Sequence, residues 1–131
     1  MDESDQLGCV SWIDLTVPNA DEIRDFYRDV IGWTFSEVDM GGYHDYCMNA
    51  PESGLTITGI CHARGVNADL PPVWLIYIMV LDLDESISRC AAKGGKLVSG
   101  PKGMGAKGKY CIIQDPSGAY AALFESAEES A

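Results

Sequence analysis

A chain of 131 residues, 47% hydrophobic and 22% charged, suits one globular domain that buries a single core. Its formal net charge of −11 argues against nucleic acid and anionic membranes as partners, because both attract basic surfaces. There is no apolar run of membrane-spanning length and the first residues are acidic, unlike a secretory signal, so we expect a cytoplasmic protein.

Two segments of the chain resemble each other when one is shifted by 63 residues. Residues 11–33 read SWIDLTVPNADEIRDFYRDVIGW and residues 74–96 read WLIYIMVLDLDESISRCAAKGGK. Each segment predicts a strand, then a helix, then a glycine beyond the helix. A repeat of this length indicates two copies of one structural unit.

The predicted helix starts share their chemistry. Asn19 precedes Glu22 by three residues and Asp82 precedes Glu85 by three, so each start carries a variant of the capping box. The first helix also predicts one apolar face at helical spacing, formed by Ile23, Phe26, Tyr27, Val30 and Ile31.

Three predicted strands follow each helix. They are WTFSEVD, YHDYCMN and GLTITGI in the first half, and GKLVS, KYCIIQD and AYAALFE in the second. Shifting by 64 residues places Tyr46-Cys47 on Tyr110-Cys111. The prediction is an α+β fold in which one domain, 1–131, contains two β-α-β-β-β units at roughly 8–62 and 72–125.

Residues 103–110 read GMGAKGKY, which fits the first seven positions of a phosphate-binding P-loop. A P-loop also needs a Ser or Thr after the lysine and then a helix, whereas here Tyr110 and a β-prone run follow. The glycines therefore predict a turn between two strands. All five lysines lie in 93–109 without any acidic residue, and a solvated loop is one interpretation of that segment.

The order of these motifs resembles the vicinal oxygen chelate superfamily of glyoxalases, bleomycin-resistance proteins and extradiol dioxygenases. The resemblance rests on the doubled unit, on IRDFYRDVIGW and on DPSGAYAALFE, and covers about residues 8–125. It implies a glyoxalase-like cupped sheet around one small-molecule site, a homodimer, and a mobile flap at 100–108.

The resemblance also implies positions for the metal ligands, which are His or Glu in the metal-dependent members. These positions are Trp12, Leu75 and Ala122. The fourth is Thr58, which matches Ala122 when the repeat is shifted by 64 residues. None of these side chains suits a divalent ion, so we expect no metal and no cofactor.

A second arrangement of metal-binding residue types is His44, Cys47, Cys61 and His62. Adjacent residues of a strand point to opposite faces, so Cys61 and His62 are not expected to reach one ion. The five cysteines are scattered without a C-x-x-C pair, which indicates reduced, partly buried thiols.

Strand alternation predicts which residues line the cup. Trp12 and Asp14 should share a face of the first strand, Tyr77 matches them by the repeat, and Thr58 and Ala122 come from the last strands. Asp14 lies in an apolar strand, where a carboxylate needs a hydrogen bond, a cationic ligand group or a catalytic role.

The predicted function is metal-independent binding of a small molecule that is cationic or aromatic, as in bleomycin resistance. The alternatives are a lyase, an isomerase or a dioxygenase-like enzyme with relocated catalytic or metal groups, and a regulatory module. No catalytic residue is assigned, because no nucleophile constellation is present.

Overall fold

The computed structural model describes residues 3–127, in which strands and helices follow the predicted order. The strands are β1 Val10–Val17, β2 Thr34–Asp39, β3 His44–Asn49, β4 Thr56–His62, β5 Trp74–Met79, β6 Lys96–Gly103, β7 Gly108–Gln114 and β8 Tyr120–Ser126. The helices are α1 Ala20–Ile31 and α2 Leu83–Ala92. The predicted α+β class is confirmed. Neither helix is long and apolar enough to cross a membrane, within the residues that the structure describes.

The chain divides into two compact units, each with one helix. Ile13–Trp74 form the α1 unit, and the described residues up to Trp12 and from Leu75 onward form the α2 unit. The domain limits 1 and 131 that the sequence predicts lie outside the described residues.

In the α1 unit the strands lie in the order β2, β3, β4, β1. β1 and β4 are parallel, with Asp14 beside Gly59 and Leu15 beside Ile60. Parallel neighbours need a crossover connection, and here the crossover contains α1 and the β2–β3 hairpin.

The core of the α1 unit lies between α1 and one face of its sheet. Its buried members are Leu15, Val17, Ala20, Tyr46, Met48 and Ile60. From α1, Ile23 and Tyr27 pack against this cluster. Phe26 and Val30 are 52% and 64% exposed, so the predicted apolar face of the helix is only partly buried.

The α2 unit repeats this arrangement, with the strand order β5, β8, β7, β6. β5 and β8 are parallel, with Tyr77 beside Ala122 and Ile78 beside Leu123. The core beneath α2 contains Leu83, Cys111 and Leu123, with Ile78, Val80, Ile87 and Ile113 packed against it.

The two helix starts differ. Asp82 accepts a hydrogen bond from the backbone N–H of Glu85 at 3.1 Å, as a capping residue does. Asn19 makes no such bond, and its side-chain amide instead donates to the Glu22 carboxylate at 3.1 Å. The predicted capping box is therefore confirmed for α2 in its N-cap half and wrong for α1.

The segment GMGAKGKY joins two antiparallel strands, as predicted. β6 ends at Gly103, one short 3-10 turn follows at Gly105–Lys107, and β7 begins at Gly108. Gly108 has a φ of 129°, and a Cβ there would meet the backbone oxygen of Glu125 at 2.1 Å, so only glycine fits. A strand rather than a helix follows the loop, which is incompatible with a P-loop.

We predict that Asp82→Ala lowers the free energy of unfolding by about 1 kcal/mol, because an N-terminal N–H of α2 loses its acceptor. Asn19→Ala is the matched control, and it should change stability by less than about 0.5 kcal/mol. Urea denaturation of both variants measures the difference. Equal losses would contradict the assignment of the two caps.

Candidate functional site

Strand register assigns every side chain in the α1 unit to one of two sheet faces. Leu15 and Ile60 face α1, so their neighbours Asp14 and Gly59 point the other way. We call the surface that points away from the helix of the same unit the helix-free face. In the α1 unit it carries Asp14, Thr16, Asp45, Cys47, Gly59 and Cys61.

Asp14 is a buried carboxylate on this face, with 8% of its surface exposed. Its neighbour on β4 is Gly59, which has no side chain, so nothing on that strand fills the space directly beside the carboxylate. Thr16 follows two residues later and is buried as well. Burying a carboxylate costs several kcal/mol unless other groups compensate its charge.

The thiol of Cys61 lies among acidic groups. Burial raises the pKa of Cys61 far above its ordinary value, and the negative charges of Asp14 and Asp45 and a hydrogen bond to Asp45 raise it further. The thiol therefore stays protonated at neutral pH and is a poor nucleophile. Sequence reasoning assigned no role to Asp45 and considered Cys61 only in a metal arrangement that it did not favour. The pairing of β1 with β4 and of β4 with β3, which brings both residues to the Asp14 face, is not visible in the pattern.

His62 contacts two carboxylates at the end of β4. The backbone N–H of His62 donates to Asp45 Oδ1 at 2.8 Å, and its ring nitrogens lie 3.4 Å from Asp45 and 3.5 Å from Asp21. His44 is exposed at the start of β3. For the side chains of residues 5–127, which the structure describes, no group of three His, Cys, Asp or Glu is arranged to hold a metal ion.

The face predicted for Thr58 is wrong. Thr58 pairs with Met48, which faces α1, and its hydroxyl donates to the carbonyl oxygen of Ile13. The cause is the offset between the repeats. In the α2 unit Ala122 pairs with Tyr77, and the matching pair in the α1 unit is Gly59 with Asp14, which is an offset of 63 rather than 64.

The offset of 64 also predicts the wrong face for one of the two tyrosines, Tyr46 and Tyr110. Tyr46 belongs to the core beneath α1, whereas Cys111 belongs to the core beneath α2 and its neighbour Tyr110 points away from that helix. A shift of one residue turns every side chain of a strand to the other face.

In the α2 unit, Tyr77 and Ala122 share the helix-free face, as their register requires. The Tyr77 ring lies 5.8 Å from the ring of Tyr110, and Ala122 is fully buried. Trp12 is half-buried at the end of the N-terminal segment of this unit. Three of the five predicted residues thus belong to the α2 unit, and Asp14 and Thr58 lie on opposite faces of the α1 unit.

The positions that the family resemblance implies for metal ligands do not fit a metal ion. Leu75 and Ala122 are buried and carry no donor atom. Thr58 faces α1, and the residue that register puts in its place is Gly59, which also lacks a side-chain donor. Trp12 offers only an indole N–H, which cannot coordinate a cation.

A separate apolar groove lies on the helix side of the α1 unit. It has a volume of about 270 Å³ and is lined by Leu15, Val17, Ile23, Phe26, Tyr27, Pro72 and Trp74. The Tyr27 and Trp74 rings meet edge to face, with their centroids 5.4 Å apart. None of the five predicted site residues lines this groove.

Comparison with known proteins identifies relatives. The model of the Glyoxalase/Bleomycin resistance protein/Dioxygenase superfamily matches residues 10–123. The Mycobacterium tuberculosis protein named "Putative glyoxylase CFP32" is 26% identical over 91% of this chain and 46% of its own length. The anthracycline biosynthesis protein DauV of a Streptomyces species is 27% identical over 89% of this chain and 46% of its own length. The chain thus spans about half the length of the curated relatives it matches.

Among solved structures, a variant of Streptomyces coelicolor methylmalonyl-CoA epimerase in complex with 2-nitronate-propionyl-CoA shares the fold. It has a TM-score of 0.58 and 16% sequence identity, and the match covers 93% of this chain and 99% of that one. At this identity the likeness establishes the fold alone.

We predict that Cys61 and Cys111, the two thiols whose pKa is raised, resist alkylation in the folded protein. Burial raises the pKa of Cys111 to about 11, so roughly one thiol in a thousand is ionised at pH 8. Iodoacetamide at pH 8 should modify the exposed Cys9 rapidly, and Cys61 and Cys111 only in denaturant. Peptide mapping by mass spectrometry measures this order, and fast modification of native Cys111 would contradict it.

Proposed function

This chain belongs to the Glyoxalase/Bleomycin resistance protein/Dioxygenase superfamily, and we propose that it binds a small molecule without a metal ion. The observation that carries the proposal is the chemistry of the helix-free faces. They hold aromatic and apolar side chains and the buried Asp14, while the positions implied for metal ligands carry no suitable donor. Small-molecule sites combine such apolar surface with a few polar groups.

Asp14 is the proposed anchor for a polar or cationic group of the ligand. A buried carboxylate gains from a charged partner, because such hydrogen bonds are about twice as strong as neutral ones. Its β4 neighbour Gly59 has no side chain that would compete for the carboxylate. Trp12, Tyr77 and Ala122 remain proposed ligand contacts, whereas the orientation of Thr58 toward α1 removes it from the proposal.

The names of the relatives agree with small-molecule chemistry, since they include a glyoxylase and proteins of anthracycline biosynthesis. Sequestration of an aromatic, cationic compound is the version of the function that Asp14 favours. A second candidate is a lyase or isomerase in which Asp14 moves a proton, because buried carboxylates serve as general acids and bases. Cys61 is not its nucleophile, since its raised pKa keeps it protonated.

We also propose that two copies of the chain associate. Exposed apolar side chains on and beside α1, including Phe26, Val30, Ile31 and Trp74, offer a surface for such an association.

We predict that Asp14→Asn weakens binding of a cationic aromatic amine by about 1 to 3 kcal/mol, because a charge-assisted hydrogen bond is lost while the shape is kept. Proflavine is a suitable probe, measured by fluorescence titration alongside the melting temperature. Asp69→Asn removes the same charge from an exposed position and should leave binding unchanged.

Unchanged proflavine affinity in Asp14→Asn, with an altered melting temperature, would assign Asp14 a structural role only. Protein purified without chelator serves for these titrations, and its metal content is measured by mass spectrometry. A stoichiometric transition metal would contradict the metal-independent proposal.

For the association, we predict a dimer by light scattering at tens of micromolar protein, and a monomer for Val30→Asp, because a carboxylate on the apolar surface opposes burial. Arg28→Gln is the control, because Arg28 is exposed and lies about 160° round the helix from Val30. A monomeric native protein would contradict the dimer.

A further inference from the structure

The helix-free face of the α2 unit is the opposite of the Asp14 face in charge. Its centre is apolar, with Met79, Ile112 and Ala122 buried there. Two lysines of β6 flank it, because Lys96 pairs with Gln114 and Lys102 pairs with Tyr110. Among the described strand residues that register assigns to this face, none is acidic.

The placement of the two lysines follows from strand alternation. Tyr110, Ile112 and Gln114 are alternate residues of β7 and pair with residues of β8 on the helix-free face. Lys102 and Lys96 are the β6 neighbours of the first and last of these, so they lie about 13 Å apart at a strand rise of 3.3 Å per residue. Both lysines are exposed.

This positive edge is exceptional in a chain with 20 acidic residues and a net charge of −11. Over most of the surface, the acidic residues repel an anion. At physiological salt the field of a single charge decays over about 8 Å, so local side chains determine the attraction. An anionic group is therefore attracted only where basic side chains stand without acidic neighbours. Among the side chains that the structure describes, residues 5–127, no carboxylate lies within 4.0 Å of the amino groups of Lys96 and Lys102.

Aromatic surface adjoins Lys102. Its β7 neighbour Tyr110 packs against Tyr77, with ring centroids 5.8 Å apart and an angle of 47° between the ring planes. Tyr110 is only 9% exposed and Tyr77 is half-buried, so the accessible ring surface near the Lys102 strand position belongs mainly to Tyr77. Ring surface close to a basic strand position suits a ligand that carries an aryl group and a negative charge.

Lys109 differs from Lys102 in the face of the sheet on which it lies and in having an ion-pair partner. Lys109 is adjacent to Tyr110 on β7, so it points to the α2 side, where its amino group lies 3.7 Å from the Asp84 carboxylate. The same hairpin thus contains a lysine paired within the protein and a lysine directed to the helix-free face.

We propose that Lys102, supported by Lys96, binds the carboxylate or phosphate of an aromatic small molecule whose ring lies against Tyr77, the more exposed ring of the Tyr77–Tyr110 pair. The inference rests on the proposed function, because it names the ligand class for the helix-free face of the α2 unit. It concerns Lys102 and Lys96, which the proposed function does not use, and it shares Tyr77 with the contacts proposed there.

Two fluorescent probes of matched shape test the proposal. 1-Anilinonaphthalene-8-sulfonate carries a negative charge, and N-phenyl-1-naphthylamine is the same aromatic amine without it. The native protein should bind both probes, the anion more tightly. In Lys102→Gln the dissociation constant of the anion should rise about five- to tenfold, since a charge-assisted contact is lost, while that of the neutral probe stays constant.

Lys109→Gln is the matched control, because it removes the same charge from the same hairpin on the other face. It should leave both dissociation constants unchanged. Lys96→Gln should raise the dissociation constant of the anionic probe two- to threefold, about the effect of a supporting charge. Competition by 1-naphthoate and by 1-naphthyl phosphate distinguishes a carboxylate from a phosphate ligand. Circular dichroism confirms that each variant is folded.

If Lys102→Gln and Lys109→Gln raise the dissociation constant of the anionic probe equally, the effect of charge is nonspecific and the proposal is overturned. An unchanged anion affinity in Lys102→Gln, with the neutral probe still bound, would overturn it while leaving the proposed function intact. Failure of the native protein to bind either probe would also overturn the proposal, and proflavine titration of the same sample would show whether the proposed function still holds.

Discussion

The register of two parallel strand pairs determines which side chains of each sheet lie in the core and which lie on the helix-free face. β1 lies beside β4 and β5 lies beside β8, and these pairings decide which side chains face a helix and which do not. Because the side-chain period of a strand is two, a shift by one residue would exchange the core of a unit with its helix-free face. Leu15 and Ile78 would then lose their helix packing, and Asp14 would enter the core. Burial of apolar surface therefore holds the register, and the register places the polar groups.

This constraint leaves the helix-free faces chemically unrestricted, and the two units use them differently. In the α1 unit the face carries Asp14, Asp45 and two thiols, whereas in the α2 unit it carries tyrosines and lysines. The structural skeleton is the same in both, since helix-side positions such as Leu15 and Ile78 are apolar in each. The two copies of one architecture thus carry opposite charges on their helix-free faces, because the fold does not restrict the side chains there.

Much of the fold follows from the sequence, because periodicity reports burial on the helix side of each sheet. Strand and helix order, the cap at Asp82 and the strand after the glycine loop were all predictable from local chemistry. Phe26 and Val30 have the spacing of core residues yet are exposed, since spacing reports a face and not what covers it. The candidate site was less predictable. The predicted face of Thr58 depended on the offset between the repeats. An error of one residue in that offset assigns the side chain to the wrong face of the sheet.

The parallel pairs also bear on how the chain reaches its native state. Asp14 and Gly59 are 45 residues apart in sequence, and so are Tyr77 and Ala122. Closing a flexible segment of that length costs about 3.4 kcal/mol of chain entropy, whereas the antiparallel neighbours within each unit are joined by short turns. The hairpins β2–β3 and β6–β7 can form locally, but each unit is completed only when its first strand meets its last. Such nonlocal closure raises the contact order of the protein, and high contact order is associated with slow folding.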